Sequence, residues 1–245
     1  MDLKSLFAGL LSRVQRMPPP PPPPGFYLTG PAVDPPEPIV DIPDDAPRAV
    51  VGGVYAITYR DSSGRLSKRT ITVHEFIGLG DDVLIAAYCQ LRAAKRQFYA
   101  SRILEFTDLQ TGEVIDEPED ILWLFRPDDT SVALRNHGGS LALLVAIGRV
   151  DGRLAAKERA VVAEWLVSRA GPGVLDLGRI DRHIARLRPD VETLDLAIES
   201  LAAAPREEIA EILKAAERVA RADGKVVAEE VAFIRDMNRQ LGLAG

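Results

Sequence analysis

Seven consecutive prolines, residues 18–24, constrain this chain more than any other feature of its sequence. Proline fixes φ and lacks the amide donor, so the run can adopt only the extended polyproline II conformation. Six further prolines follow before residue 48, so 13 of the 18 prolines precede that position. We therefore predict a proline-rich, unfolded linker over residues 18–48 that separates an N-terminal segment from the folded body.

Apolar side chains recur every three or four positions in residues 1–17, which predicts a short amphipathic helix. One interpretation is that this helix docks on the chain's own body. The favoured interpretation is an anchor for a membrane surface or a partner groove, because a helix that packs on its own domain needs no spacer. We accordingly predict that residues 1–17 belong to neither core and make a peripheral membrane or partner contact.

β-Branched and aromatic residues dominate residues 49–117, and turn signals occur at residues 61–64, 78–82 and 111–112. Short runs of this composition between turn signals are typical of strands. Five strands in about 60 residues predict a small β-barrel.

Several short motifs in this region carry a family resemblance: Ile57–Tyr59, Ser67–Arg69, Ala87–Arg92, Arg96–Phe98 and Ser101–Ile103. In order and spacing they resemble the WYL domain, a ligand-sensing module of bacterial transcription regulators and defence proteins. The resemblance implies an Sm-like (SH3-like) barrel whose ligands are nucleic acids or nucleotides. Two departures argue against an operator-binding regulator: Val83–Ile85 replaces the signature Trp-Tyr-Leu, and a proline spacer replaces the usual helix-turn-helix.

The local charge also favours an anionic ligand. Residues 50–107 contain eight basic and five acidic residues, a net +3, although the whole chain carries −6. Arginine can bind phosphate in a bidentate manner, and tyrosine can stack on bases. The competing interpretation places the aromatic residues in the barrel core and the arginines on a solvated rim. The candidate ligand-binding residues are Tyr59, Arg69, Tyr88, Arg92, Arg96 and Arg102.

The remainder of the chain has helical periodicity. Residues 118–137 are predicted to be a connector, and Ser140 is predicted to cap an apolar helix over residues 141–150. Further helices are predicted over residues 155–169, 176–187, 191–203, 206–222 and 228–241. We therefore expect an all-helical bundle over residues 138–245, and an α+β chain of two domains overall.

The helical region contains an internal repeat: the octapeptide Asp151–Glu158 recurs as Asp223–Glu230, 72 positions later. Each copy begins with Asp-Gly and ends with Glu, between two helices. This doubled pattern resembles the tellurite-resistance TerB family, which is related to the membrane-proximal domain of DjlA-type co-chaperones. The resemblance implies a role in stress response, often near the inner membrane, through protein interaction rather than catalysis.

The repeat also resembles the second half of an EF-hand calcium loop, in which Gly makes the turn and Glu is a bidentate ligand. A standard EF-hand is excluded, because apolar or basic residues stand where the first acidic ligands belong: Ile147, Arg149, Val219 and Arg221. A divalent metal site pooled from both copies remains the minority hypothesis. Its candidate ligands are Asp151, Glu158, Asp223 and Glu230.

The favoured interpretation of the repeat is structural. Gly152 and Gly224 are predicted to end a helix in the left-handed conformation, and each Glu to lie at the third position of the next helix. A full capping box would need Ser or Thr where this chain has Ala155 and Val227. The preceding Asp is then expected to accept the free amides.

Catalytic motifs do not occur in the sequence. The three histidines lack metal-ligand spacing, Cys89 is the only cysteine, and there is no phosphate loop, HExxH or nucleophile elbow. We predict a non-enzymatic bacterial stress-response or defence-associated protein without a firm cofactor. It is expected in the reducing cytoplasm or at the periphery of the inner membrane. The alternative is a metal-binding TerB-type protein with a degenerate, structural WYL barrel.

Overall fold

The computed structural model describes residues 3–15, 19–31, 42–115, 122–150, 152–171, 173–202, 204–222 and 224. An antiparallel β-sheet domain precedes a helical domain, as the sequence predicts. Helix α1 (Leu3–Val14) lies before the sheet. Across these described residues, the helices are too short or too polar for any of them to cross a membrane.

Six antiparallel strands form one sheet in the order β4-β3-β2-β1-β5-β6. The two short edge elements are β4 at one side and β6 at the other, and β1 and β2 are the longest strands. The predicted five strands are confirmed, and β6 is an addition. Their bounds are β1 (Arg48–Arg60), β2 (Leu66–Leu79), β3 (Asp82–Cys89), β4 (Ala94–Tyr99), β5 (Ile103–Asp108) and β6 (Val114–Ile115).

The sheet curls into a barrel. Four strand spacings separate β4 from β5, about 19 Å in a flat sheet. The only connection between these strands is the 3-10 turn Ala100–Arg102, and three residues of such a turn advance about 6 Å. The sheet must therefore bring its two sides together. The rings of Tyr59 in β1 and Phe98 in β4 meet edge to face at 5.1 Å, as this closure requires.

Six helices follow the barrel within the described residues, and the bounds of the last five agree closely with the sequence periodicity. They are α2 (Asp129–Asn136), α3 (Gly138–Gly148), α4 (Ala156–Arg169), α5 (Leu177–Arg186), α6 (Val191–Ala202) and α7 (Arg206–Arg221). The predicted helix over residues 228–241 lies outside the described residues.

Two further elements were not expected from the sequence, and both lie in the predicted connector. A 3-10 turn covers Leu122–Phe125, and α2 follows it. The carboxylate of Asp128 accepts the amide of Ser131 at 3.0 Å and so caps the first turn of α2. The connector is therefore largely ordered and joins the helical domain.

Helix α3 is the centre of the helical domain. It is apolar on all sides, which is typical of a fully buried helix, and it contacts α4, α6, α7 and β1. The helix begins at Gly138, so the prediction that Ser140 is its N-cap is wrong. A Cβ atom on Gly138 would lie 2.5 Å from the carbonyl oxygen of Val50 in β1. Glycine is required there because the barrel and the helix approach each other so closely.

Helix α1 packs on the chain's own body, against α6 and α3. Leu10 is 3% exposed and Val14 is 7% exposed, and both belong to the common hydrophobic core. The prediction that residues 1–17 lie outside both cores is therefore wrong. Amphipathic periodicity shows that a helix must bury one face, but it does not show what covers that face. Contact of this segment with a membrane or a partner protein stays a prediction.

Candidate functional site

Two of the six predicted ligand-binding residues lie inside the barrel. Tyr59 and Arg69 are each 3% exposed. The Arg69 guanidinium lies over the rings of Tyr59 and Phe98, at 6.0 and 5.7 Å, and its Nε donates to Ser67 Oγ at 2.9 Å. Their positions do not support the expectation that Tyr59 and Arg69 contact a ligand on the barrel surface.

The four remaining candidates lie around β3 and β4 but do not share one face. Tyr88 is paired with Lys95 across the two strands, and paired residues point to the same side of a sheet. Arg96 is paired with Ala87 and points to the opposite side. Arg92 lies in the turn between the strands, where its guanidinium donates to the carbonyl oxygen of Pro31.

A basic and aromatic surface nevertheless forms on the outer side of β3 and β4. Lys95 and Tyr99 occupy alternate positions of β4 and share this side with Tyr88. Arg102 follows in the 3-10 turn, and its guanidinium lies 4.6 Å from the centre of the Tyr99 ring. We call Tyr88, Lys95, Tyr99 and Arg102 the basic face. Lys95 and Tyr99 were missing from the predicted site, although their alternation with the buried Phe98 was readable in the sequence.

The basic face is connected to the helical domain. Lys95 Nζ lies 2.6 Å from the Glu192 carboxylate, in the first turn of α6. The lysine side chain is 68% exposed, so this ion pair contributes little stability by itself. An anion that binds Lys95 would compete with Glu192 and thereby change the charge at the start of α6.

Further polar contacts join the barrel to the start of α6. The Asp190 Oδ1 atom accepts the amide of Thr193 and caps α6, while Oδ2 lies 3.1 Å from Nε2 of His74 in β2. Burial would raise the pKa of Asp190, but the hydrogen bonds from His74 and Thr193 hold it below its usual value. The amide of Arg188 donates to the Gly52 carbonyl at 2.7 Å.

Ionisable groups are also buried where α5 meets the barrel. Burial and the neighbouring Arg186 lower the pKa of His183 to about 3, so its imidazole is neutral at physiological pH. The His183 ring packs edge to face on Trp123 at 5.1 Å. A cavity of about 20 Å³ adjoins these two side chains and Tyr55 of β1. Burial raises the pKa of Tyr55, and the nearby Asp108 carboxylate adds to that rise.

We call the interface between the barrel and the helices the seam; it includes the contacts of His74 with Asp190 and of Gly52 with Arg188, and the cavity beside His183. One hydrophobic core contains residues of the barrel, α1 and the helical domain. Sequence reasoning missed this seam, because its partners, such as His74 and Asp190, are far apart in the chain and neither belongs to a motif.

The described residues bear out part of the structural role predicted for the Asp-Gly repeat. Both glycines are left-handed, but neither ends its helix, because α3 ends at Gly148 and α7 ends at Arg221. Gly152 has φ +98° and Gly224 has φ +77°, which favours glycine at both positions. Glu158 is buried at the third position of α4, and its Oε2 accepts the Ala155 amide at 2.6 Å. Because the Ala155 side chain has no acceptor, this is one half of a capping box.

Arg149, which stands at a calcium-ligand position of the EF-hand comparison, has a structural role. Its buried guanidinium donates to the carbonyl oxygens of Leu187 and Ala185, each at 3.0 Å, and so closes the C-terminal end of α5. Burial lowers its pKa to about 10, which leaves it charged. This charge disfavours a cation beside the first repeat.

The candidate metal ligands Asp151, Asp223 and Glu230 lie outside the described residues, so the pooled metal site stays a prediction. In the part of the chain that the structure describes, no group of three or more His, Cys, Asp or Glu side chains could hold a metal ion.

Comparison with protein families gives a match to tellurite resistance protein TerB over residues 137–245. The matched range covers the helical domain from α3 onward and begins after the barrel, so the WYL resemblance of the barrel stays a prediction. Comparison with curated proteins and with solved structures gives no match. The helical domain of this chain therefore carries a TerB region, as its doubled Asp-Gly pattern predicts.

Proposed function

We propose that this chain is a non-enzymatic, bacterial stress-response or defence-associated protein of the tellurite-resistance type. In this proposal the barrel binds an anionic ligand, such as a nucleic acid or a nucleotide, and the helical domain mediates protein interaction near the membrane. The TerB match of residues 137–245 supports the stress-response assignment. The ligand assignment rests on the barrel's own residues.

The basic face is the observation that carries the ligand proposal. Arg102 is already oriented by the Tyr99 ring at 4.6 Å, and Lys95 is mostly exposed. A guanidinium held on a ring loses little conformational freedom when it binds phosphate. The half-buried rings of Tyr88 and Tyr99 offer surfaces on which an unpaired base can stack. This combination suits single-stranded nucleic acid better than a duplex.

Contact between the basic face and α6 supports a link from ligand to partner. Anion binding at Lys95 releases Glu192, and the freed carboxylate then lies at the N-terminal end of α6, where negative charge is favourable. Ligand binding therefore changes the helical domain only through a small electrostatic effect at the exposed N-terminal end of α6. A protein partner that contacts this end would sense the ligand.

Fluorescence anisotropy with a labelled single-stranded oligonucleotide tests the ligand proposal. Binding should weaken with salt, with a log–log slope of about −0.7 per phosphate engaged. Lys95→Ala and Arg102→Ala should each reduce the affinity and flatten the slope. Arg96→Ala removes the same charge from the neighbouring position on the opposite side of β4, so it is the matched control.

Two results would contradict this proposal. The first is no binding by the full chain at low salt. The second is an equal loss of affinity in Arg96→Ala and Lys95→Ala, which would show that net charge alone attracts the oligonucleotide.

A further inference from the structure

The proline-rich segment does not behave as the predicted unfolded spacer over its first part, because residues 19–31 lie along the barrel. Thr29 forms an antiparallel bridge with Lys68 of β2. The Thr29 amide donates to the Lys68 carbonyl at 3.0 Å, and the Lys68 amide donates back to the Thr29 carbonyl at 2.8 Å. Strand β2 pairs with β3 only from Ile71 onward, so Thr29 occupies a stretch of strand edge that β3 leaves open.

Side chains of the barrel fix the chain on both sides of this bridge. The Lys68 ammonium lies 5.8 Å above the Phe26 ring, and the Arg92 guanidinium donates to the carbonyl oxygen of Pro31. Between them, Gly30 passes so close to the barrel that a Cβ atom would lie 2.9 Å from Leu91 Cδ2. The barrel thus contacts an extended backbone and one aromatic ring, and the Leu91 side chain would have to move to admit a side chain at position 30.

The polyproline run continues along the same surface. Pro20 and Pro23 are half-buried, whereas Pro19, Pro21, Pro22 and Pro24 are exposed. A polyproline II helix has three residues per turn, so one edge of the run faces the barrel. A cleft of about 470 Å³ remains between the prolines and the barrel, lined also by Glu105 and Thr107. This volume lies within the range of ligand pockets, so the segment does not fill the surface it covers.

We propose that this surface is a binding groove for an extended, proline-rich peptide, and that residues 19–31 are its intramolecular occupant. Two of these hydrogen bonds are accepted by backbone carbonyls, which proline retains, and one is donated by the Thr29 amide, which proline would lack. The extended conformation of a proline-rich segment is already formed, so binding it costs little entropy. The partner is a proline-rich segment with a small residue where it passes Leu91. This proposal is independent of the anionic ligand, because the groove and the basic face share no residue.

The chain's own segment and a partner peptide compete for the groove, and the tether favours the chain's own segment. A short tether gives the bound segment an effective concentration on the order of millimolar, so a free peptide binds the intact chain weakly. A change that unseats the segment without touching the groove should expose the site. Thr29→Pro does this, because proline cannot donate the hydrogen bond to the Lys68 carbonyl.

The test is an NMR titration of the ¹⁵N-labelled full chain with a synthetic peptide of residues 18–31. In the Thr29→Pro chain, the Lys68 and Leu91 amides should shift in a saturable manner, with at least about tenfold tighter binding than in the unaltered chain. Arg92→Ala, added to Thr29→Pro, should weaken binding. Arg60→Ala, which removes an exposed arginine elsewhere on the barrel, should not.

Three outcomes would contradict the proposed groove. The first is no saturable shift in the Thr29→Pro chain at millimolar peptide. The others are equal peptide affinity of the Thr29→Pro and unaltered chains, or an equal loss of peptide affinity in Arg92→Ala and Arg60→Ala. A peptide carrying Gly30→Val should bind more weakly than the unaltered peptide, because the Leu91 side chain must move to admit it.

Hydrogen exchange on the unaltered chain gives a second test that needs no variant. Excess peptide should speed exchange of the chain's own Thr29 amide, because the peptide displaces residues 19–31 from the barrel. The Lys68 amide should stay protected, because a carbonyl of the peptide replaces the Thr29 carbonyl as its acceptor. No change at Thr29 under saturating peptide would contradict the proposal.

Discussion

Replacement of His183 by Gln tests the seam between the barrel and the helices. His183 lies on α5, is 3% exposed and packs on Trp123 beside the barrel. Glutamine keeps a polar side chain of similar length but does not titrate. The prediction concerns the difference in pH dependence between the two proteins, so a constant loss of stability in the variant does not affect it.

The size of the stability loss at low pH follows from the pKa values of His183 in the folded and the unfolded chain. In the folded chain, burial and Arg186 lower the pKa from 6.5 to about 3. Below pH 6.5 the unfolded chain therefore binds a proton that the folded chain does not. The contribution of His183 to stability is complete above its unfolded pKa and decreases as the pH falls toward 3. At pH 5 the loss is about 2 kcal/mol.

Urea unfolding at about pH 7.5 and pH 5, followed by tryptophan fluorescence, measures this loss. The unaltered chain should lose about 2 kcal/mol more between the two pH values than His183→Gln does. Every other ionisable group is common to both proteins, so its contribution cancels. Equal losses would refute the reasoning, because His183 would then take up its proton in the folded state, where the seam would have to be open to water.

Three further substitutions and one titration test other parts of the structure by chemical or thermal unfolding and by calorimetry. Leu10→Ala should destabilise the chain by about 3 kcal/mol, whereas an undocked α1 would make the change nearly neutral. Arg149→Met should cost about 2 kcal/mol, because two buried carbonyl oxygens lose their donor; no loss would mean that water replaces it. Gly152→Ala should cost about 1 kcal/mol at its positive φ, and a neutral result would contradict the left-handed conformation. Titration with calcium, magnesium, zinc or manganese should show no stoichiometric binding; micromolar binding lost in an Asp151→Asn, Asp223→Asn double variant would make the domain a metal sensor.

Much of the secondary structure could be predicted because it depends on local pattern. The helix predicted over residues 155–169 is observed as α4 (Ala156–Arg169), and the strand predicted around Val83–Cys89 is observed as β3. Helix α2 was missed because its apolar stripe is short. Its local signal was Asp128 followed by Ser131, a capping pair that marks a helix start.

The interior position of Arg69 could also have been predicted. Alternate residues of a strand share a face, and Arg69, Ile71 and Val73 therefore point to the same side of β2. Ile71 and Val73 are fully buried, and Arg69 follows them into the barrel. The charge of Arg69 suggested that it contacts a ligand on the surface. The alternation of side chains along β2 instead predicts an interior position, and the structure has it there.

The docking of α1 and the seam could not be predicted in this way. Periodicity identifies an apolar face but not its partner, and the spacer after α1 gave no reason to expect a contact with α6. The pairing of His74 with Asp190 depends on the packing of two domains, which no local pattern contains.

The barrel and the TerB-like helical domain share one hydrophobic core, so we expect a ligand on the basic face to stabilise both. Differential scanning calorimetry of the full chain, with and without a single-stranded oligonucleotide at about 100 times its Kd, tests this claim most directly. We predict a single transition whose midpoint rises by about 5–10 °C, from about 2.7 kcal/mol of binding energy. Two separate transitions, of which the oligonucleotide moves only one or neither, would contradict it.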